Sequence, residues 1–225
     1  NPSVSTGFSI ILVSFQGDRT VLAHRGANAM IKKSDINFDA IKNAKLLYIA
    51  PMNGDSTKVL DDIATFAAEN NIYVCFNAGS SSIKRGFNYL KKIIANSSIV
   101  VMNKEEASMA TQIQVRPDTS KEKFSEELIH PDVKEMFYKL KVRDSQIIVI
   151  TDGGRGACAY NGKMFYQCPI FEGPVVSTLG AGDAFASTFC AALGRTKNDI
   201  GRSLMYASVN SAGVVSAFGA TQGLK

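Results

Sequence analysis

Short apolar segments alternate with amphipathic helical segments along most of this 225-residue chain, and this alternation limits its fold more than any other feature. The run at 147–150 (Ile-Ile-Val-Ile) is apolar at every position, which is typical of a strand buried on both faces. Strands that are separated by helices pair in parallel, because each connection must cross back over the sheet. The sequence therefore predicts an α/β fold with a mostly parallel central sheet covered by helices.

The predicted elements follow one another without an internal repeat or a clear linker, so we expect a single domain over residues 1–225. Ser56 is a candidate N-cap for the second helix. The region 111–144 is polar, and we expect helical pieces there that lie at the periphery. The strands are expected at 46–50, 72–76, 99–102 and 146–151, and the helices at 38–43, 57–69, 83–95, 182–193 and 199–218.

Two strand pairs are expected beside the parallel strands. A turn at Asn161-Gly162 predicts a hairpin with strands at 157–160 and 163–166. The turn Gln16-Gly17-Asp18 is expected to join strands at 7–15 and 20–24. The chain lacks an initial Met and enters the first strand almost at once, so we expect it to be incomplete at the amino-terminus.

Composition and charge narrow the class of protein. Apolar residues make up 45% and charged residues 20%, as in ordinary globular domains. The net charge is +5, but the basic residues are scattered, which favours small anionic ligands over nucleic acid. Since no apolar run could span a bilayer and no signal peptide is recognisable, we expect a cytoplasmic protein without membrane contact. The four cysteines form no CxxC pair, and neither of the two histidines has another ligand type at metal-binding spacing, which disfavours a zinc site.

The segment Gly180-Ala181-Gly182-Asp183 begins a predicted helix. Its glycines allow the backbone to approach a ligand closely, and the N–H groups of a helix N-terminus attract an anion. Donors held in place in this way stabilise a phosphoryl group during its transfer, and Asp183 could accept the proton of an attacking hydroxyl. Alternatively, the segment is a glycine-rich turn in which Asp183 only stabilises the helix dipole.

Three further segments are expected near this turn. Segments 103–106 and 151–157 each follow a predicted strand, and 218–220 ends the last helix. Because the carboxyl ends of parallel strands meet at the edge of the sheet where ligands bind, these segments should converge. The sequence therefore predicts one ligand site at this edge.

Taken in order, these segments resemble the ribokinase-like (PfkB) carbohydrate kinases over nearly the whole chain. The resemblance implies a ribokinase-like three-layer sandwich whose early strands contribute to a lid. Shorter matches are Ser5-Thr6-Gly7, Arg25-Gly26-Ala27-Asn28 and Asn77-Ala78-Gly79-Ser80, the last with Ala78 where proline is usual. The family's DTxGAGD signature reads STLGAGD at 177–183, its NxxE reads Asn103 to Glu106, and its TxGxxGA reads Thr151 to Ala157.

The resemblance also implies ATP-dependent phosphotransfer, with Mg²⁺, to a hydroxyl of a small sugar or nucleoside. It assigns Asp183 as the catalytic base and Gly180, Ala181 and Gly182 as the anion hole, and it implies that Asn103 and Glu106 organise Mg²⁺ and the phosphates. The nucleotide would lie along Thr151, Gly153 and Gly156, with Asn210 and Gly219 at the border of an adenine pocket. Asn28 is a candidate on the acceptor side. Alternatives stay open: Asn103 as a helix cap only, Glu106 as a solvated acid, Asn210 as a polar helix residue, and Arg155 as a phosphate partner or a surface charge.

Two departures from the family pattern bear on function. Ser177 stands where the signature has Asp, which removes a carboxylate near the metal and the phosphates. The family's amino-terminal part, which supplies much of the sugar pocket, is not recognised in this chain. The hypothesis of a non-catalytic nucleotide-binding protein of the same fold therefore stays open. The hypothesis of a nicotinamide-dependent oxidoreductase is disfavoured, because no GxGxxG follows the first strand. Family members often pair through lid strands, so a homodimer is a further expectation.

Overall fold

A six-stranded sheet forms the centre of the molecule. The computed structural model describes residues 4–13, 19–116 and 129–224. The four strands β3 to β6 are parallel, and β7 and β8 continue the sheet antiparallel, so the predicted mostly parallel sheet is confirmed. In spatial order the strands are β3 (Leu46–Ile49), β4 (Tyr73–Asn77), β5 (Ile99–Asn103), β6 (Ile147–Thr151), β7 (Ala157–Tyr160) and β8 (Phe165–Cys168).

Helices cover both faces of this sheet. One face carries α2, α4 and α6, and the other carries α7 and α8. This arrangement is a three-layer α/β sandwich, as predicted. The helices are α1 (Phe38–Lys42), α2 (Leu60–Glu69), α3 (Ser80–Ile83), α4 (Phe87–Ala95), α5 (Lys104–Thr111), α6 (Pro131–Leu140), α7 (Ala181–Arg195) and α8 (Ile200–Val215).

Alternate residues of the central strands enter the two cores. Phe76 and Val100 contribute to the core under α2, α4 and α6, whereas Cys75 and Val101 contribute to the core under α7 and α8. Side chains of a strand point to opposite faces in turn, so a strand that is covered twice must be apolar at every position. On α7, the fully buried Phe189 fills the second core.

A separate two-stranded antiparallel ribbon is formed by β1 (Thr6–Val13) and β2 (Arg19–Gly26). The predicted turn at 16–18 lies outside the described residues. Apolar side chains of this ribbon, among them Phe8 and Leu22, are exposed. Pairing of two chains through the ribbon, which this exposure would suit, stays a prediction.

Three predicted features are wrong. Ser56 is not a helix cap: it is buried within a 3₁₀ turn (Gly54–Val59), and its hydroxyl donates to the Asn28 carbonyl at 2.7 Å. The helix predicted at 83–95 is two helices, α3 and α4, because Gly86 between them has a φ of 93°. The second strand of the hairpin lies at β8 instead of 163–166.

The region 111–144 is not peripheral throughout, which corrects a fourth expectation. Helix α6 buries Met136, Phe137 and Leu140 completely against the sheet. Glu135 and Lys139 of the same helix are exposed, so the region looks polar on average although one stripe of the helix is apolar. Among the described residues, no helix is long and apolar enough to cross a bilayer.

Candidate active site

Three parallel strands end side by side in polar residues. In the register of the sheet, Asn77 of β4 pairs with Val101, and Asn103 of β5 pairs with Thr151 of β6. The carboxyl ends of β4, β5 and β6 therefore meet at one edge, which is where ligands bind in open α/β sheets. Segments 103–106 and 151–157 lie at this edge together.

The turn before α7 fits only a glycine at position 180. Gly180 is the N-cap of α7 with a φ of 80°, a left-handed conformation that side chains disfavour. A Cβ built there would lie 2.2 Å from the carbonyl oxygen of Ala220. The loop after α8 thus packs on the start of α7. The first N–H groups of a helix have no acceptor within it, so they are available to an anion.

Asp183 lies in the first turn of α7, and its side chain is contacted from the sheet edge. The Asn77 amide nitrogen donates to Asp183 Oδ1 at 3.2 Å and to the Tyr48 hydroxyl at 2.9 Å. Burial raises the pKa of Tyr48 well above its usual value; the hydrogen bond from Asn77 opposes this shift, and the charge of Asp183 adds to it. Asp183 therefore has a defined orientation, although residue 183 itself is exposed.

Sequence reasoning did not assign a role to Asn77 or Tyr48. Asn77 was noticed only as part of a four-residue resemblance, although a polar residue at the end of an apolar strand is itself a signal. Tyr48 lies within an apolar strand and carries no such signal, because its partner is 29 residues away.

Asn103 and Glu106 form a reciprocal capping box at the start of α5. Glu106 N donates to Asn103 Oδ1 at 2.8 Å, and Asn103 N donates to Glu106 Oε2 at 3.0 Å. The capping role that was an alternative for Asn103 is therefore real. Burial raises the pKa of Glu106. The hydrogen bond from the Asn103 N–H opposes this shift, whereas the negative charges of Glu105 and Asp183 add to it.

The same residues suit Mg²⁺ chemically. This ion takes oxygen ligands and commonly uses one or two carboxylates together with the phosphates of a substrate. Glu106 and Asp183 are close enough to repel each other, and a divalent cation between such groups would relieve that repulsion. Glu106 and the Asn103 amide oxygen are thus the residues that would hold the ion.

An ion pair joins the two turns at this edge. Lys104 Nζ lies 2.6 Å from the Asp152 carboxylate, and both side chains are largely shielded, at 16% and 30% exposed. Sequence reasoning missed this contact, which links positions 48 residues apart. Arg155 approaches Asp152 at 3.5 Å and is 79% exposed, so its position fits a surface charge.

A cavity of about 270 Å³ lies beside the N-terminus of α7. Of the predicted site residues, Thr151, Gly153, Gly156, Ala181 and Gly182 line it. No charged side chain is among the described residues that line this cavity. The other walls come from Gly154, from Phe185 of α7, and from segment 170–178 and α8, which contribute Ile170, Phe171, Gly173, Pro174, Val175, Thr178, Ser208, Ser211, Ala212 and Val215.

Three predicted residues lie elsewhere. Asn210 is buried between α7 and α8, where its amide donates to the Thr188 hydroxyl at 2.6 Å, while its neighbours Ser208, Ser211 and Ala212 line the cavity. The helical period turns position 210 away from the wall that those neighbours form, so Asn210 does not border the pocket as expected. Gly219 lies in the loop beside Gly180, outside the cavity lining. Asn28 lies at the base of the ribbon, where its Oδ1 accepts from Gly7 N at 3.2 Å.

Ser177 supports the turn before Gly180. Its hydroxyl accepts from Leu179 N at 3.3 Å, and its own N–H donates to the Val215 carbonyl at 3.1 Å. A serine oxygen can therefore hold this turn without a carboxylate.

Comparison with known proteins identifies the family of this chain. The model described as "pfkB family carbohydrate kinase" matches residues 1–225. The chain is 26% identical, over 94% of its length, to an ATP-dependent ribose-1-phosphate kinase of Halopiger xanaduensis, of which it covers 62%. It thus spans only about three fifths of that relative.

Solved structures share the fold. A ribokinase from Giardia lamblia superposes with a TM-score of 0.76 at 21% identity, over 99% of this chain and 70% of that one. A nucleoside kinase from Burkholderia thailandensis, solved with inosine, gives 0.74 at 18% identity, over 98% and 66%.

Proposed function

Because the chain belongs to the pfkB family of carbohydrate kinases, we propose that it transfers the γ-phosphate of ATP to a hydroxyl of a small sugar or nucleoside. One observation carries the proposal. The first turn of α7 borders the cavity through Ala181 and Gly182, and its next residue, Asp183, is held by Asn77 at the carboxyl edge of the sheet. A phosphate donor and a hydroxyl acceptor would meet at this turn.

Asp183 acts as the general base. Its carboxylate accepts the proton of the acceptor hydroxyl while the hydroxyl oxygen attacks the γ-phosphorus and the bond to the leaving ADP oxygen breaks. One carboxylate oxygen receives the Asn77 amide, so the other can receive this proton.

The N-terminus of α7 stabilises the charge of the transferring group. The positive end of the helix dipole and the N–H groups of Gly180 and Gly182 would face the anion, and the Ala181 N–H, which donates to the Thr178 carbonyl at 3.4 Å, lies between them in sequence. Gly182 has open space where a side chain would be, so a phosphate oxygen can approach its backbone. Donors fixed by the fold need no rearrangement during the reaction.

Mg²⁺, when bound, would neutralise phosphate charge. Asn103 and Glu106 would hold it at the start of α5, and Asn103 is paired in the sheet with the cavity-lining Thr151. The raised pKa of Glu106 fits a carboxylate that is at its most stable beside a cation.

The nucleotide occupies the cavity next to α7. Gly153 and Gly154 leave open space there, and the apolar walls from Phe171 and Val175 suit the faces of a base. The acceptor would approach the second carboxylate oxygen of Asp183, and Asn28 is its candidate contact.

An Asp183→Asn variant of the complete gene product tests the proposal. With ATP and a panel of ribose, fructose and adenosine, the wild type should consume ATP with at least one acceptor. The variant should lose nearly all turnover, by about 10³-fold or more, and keep ATP affinity. Turnover retained by the variant would refute the role of Asp183.

A second candidate is a nucleotide-binding protein of the same fold without catalysis. Ser177 in place of the family's Asp favours it, because one carboxylate is missing from the phosphate side. ATP binding by calorimetry without consumption across the acceptor panel would support this candidate.

A further inference from the structure

We propose that Asn77 is a positioning residue that fixes the carboxylate of Asp183 for proton transfer, and that Tyr48 anchors Asn77. This inference rests on the proposed function, since it concerns the same base. Asn77 does not need to touch either substrate, and its effect is exerted through Asp183.

Asn77 is placed rigidly. It ends β4, where its backbone pairs with Val101, and it is only 8% exposed. A buried strand end allows little backbone movement, so an amide there is a fixed reference point. Asp183, in contrast, lies on an exposed helical turn.

The amide group of Asn77 has two N–H donors, and the geometry uses both. One meets the Tyr48 hydroxyl at 2.9 Å and the other meets Asp183 Oδ1 at 3.2 Å. Tyr48 therefore defines the rotation of the amide, and the amide defines the rotation of the carboxylate. The chain of contacts links β3, β4 and α7.

A neutral donor suits a base better than a cation would. Lysine or arginine at position 77 would stabilise the carboxylate strongly and make it a poorer proton acceptor. Among the described residues, Glu106 of α5 and Tyr48 of β3 are titratable groups whose pKa is raised in part by the charge of Asp183. Burial raises the pKa of Tyr48, so the phenol stays neutral at physiological pH and acts only as a hydrogen-bond partner.

Substitutions in the complete gene product test this inference. Asn77→Leu keeps the number and the branching of the side-chain heavy atoms and removes both donors. It should lower kcat by about 10- to 100-fold while KM for ATP changes by less than about threefold, because misplacing a catalytic group affects the chemical step. Tyr48→Phe, which removes only the anchor, should lower kcat by about two- to fivefold.

Asn96→Leu is the matched control. Asn96 makes the same kind of contact, an amide-to-hydroxyl hydrogen bond of 2.9 Å to Thr65, but it lies between α4 and α2 before β5 begins. Its kcat should stay within about twofold of the wild type, whatever its thermal stability. If the two variants lose the same amount in melting temperature and kcat falls equally in both, the inference is overturned.

The pH profile separates orientation from a merely structural role. Asn77→Asp is nearly isosteric and places a second carboxylate beside Asp183. The acidic limb of kcat/KM should then move to higher pH, since two adjacent carboxylates resist ionising together. An unmoved limb would contradict the contact.

The outcomes also separate this inference from the proposed function. If Asp183→Asn abolishes turnover while Asn77→Leu keeps wild-type kcat, only the positioning role fails. If Asp183→Asn keeps turnover, the proposed function fails and the positioning role fails with it.

Discussion

Replacing Gly180 with alanine perturbs the turn before α7, whose first N–H groups form the proposed anion site. The new Cβ would have to lie in a left-handed conformation, at a φ of 80°, and 2.2 Å from the Ala220 carbonyl oxygen. Both problems are local to this turn, so either the turn or the loop after α8 must move.

The expected loss of stability follows from these two terms. A left-handed conformation costs an L-residue about 1–2 kcal/mol, and forcing an extra carbon into a filled space costs about 1–3 kcal/mol. Together they lower the free energy of unfolding by about 2–5 kcal/mol. For a chain of this size that corresponds to a melting temperature about 4–20 °C lower.

The activity should fall more than the stability alone explains. A shift of about 1 Å at the N–H groups of α7 would lower kcat by about 100-fold in protein that is still folded at the assay temperature. Gly194→Ala is the control, because Gly194 lies in the same helix with nothing within 4 Å of an added Cβ. It should raise stability by up to about 1 kcal/mol and leave kcat unchanged. Thermal melts and steady-state kinetics measure both quantities, and a Gly180→Ala protein with wild-type stability and kcat would refute the reasoning.

Two predictions concern pH. The pKa of Glu106 is raised in the folded state above the ordinary glutamate value of 4.5. Ionisation of this side chain therefore lowers the free energy of unfolding as the pH rises above 4.5. In urea titrations, Glu106→Gln should therefore be more stable than the wild type near neutral pH, and this difference should vanish at lower pH. The Mg²⁺-dependent activity of the variant should fall. The Arg116 guanidinium holds the pKa of Asp132 at about 2, below its usual 3.8, so this contact stabilises the fold above pH 3.8 and is lost as pH falls toward 2. Arg116→Met should lower the urea midpoint at neutral pH but not near pH 2, and an equal deficit at every pH would contradict this account.

The sheet was predictable because the signal for each strand lies within a few consecutive residues. Apolar runs such as 147–150 report burial on both faces, and their alternation with helices fixes parallel pairing. The turn before α7 was predictable for a related reason, since its left-handed glycine and the helix start that follows are both visible in four consecutive residues, Gly180 to Asp183.

Contacts between distant segments were not predictable. Ser56 resembles a helix cap in sequence, but its hydroxyl finds the Asn28 carbonyl 28 residues earlier. Asn77 meets Asp183 across 106 residues, and no local pattern encodes that meeting. The Asn210 amide meets the Thr188 hydroxyl across 22 residues, a contact that the sequence around position 210 does not indicate.

Transfer of the γ-phosphate itself tests the central claim most directly. The complete gene product should be incubated with γ-labelled ATP, Mg²⁺ and each acceptor, and the label followed to a phosphorylated sugar or nucleoside. Labelled product is expected with the wild type and none above background with Asp183→Asn, at equal ATP binding. Labelled product formed equally by both proteins would contradict it, as would the absence of product with every acceptor although ATP is bound.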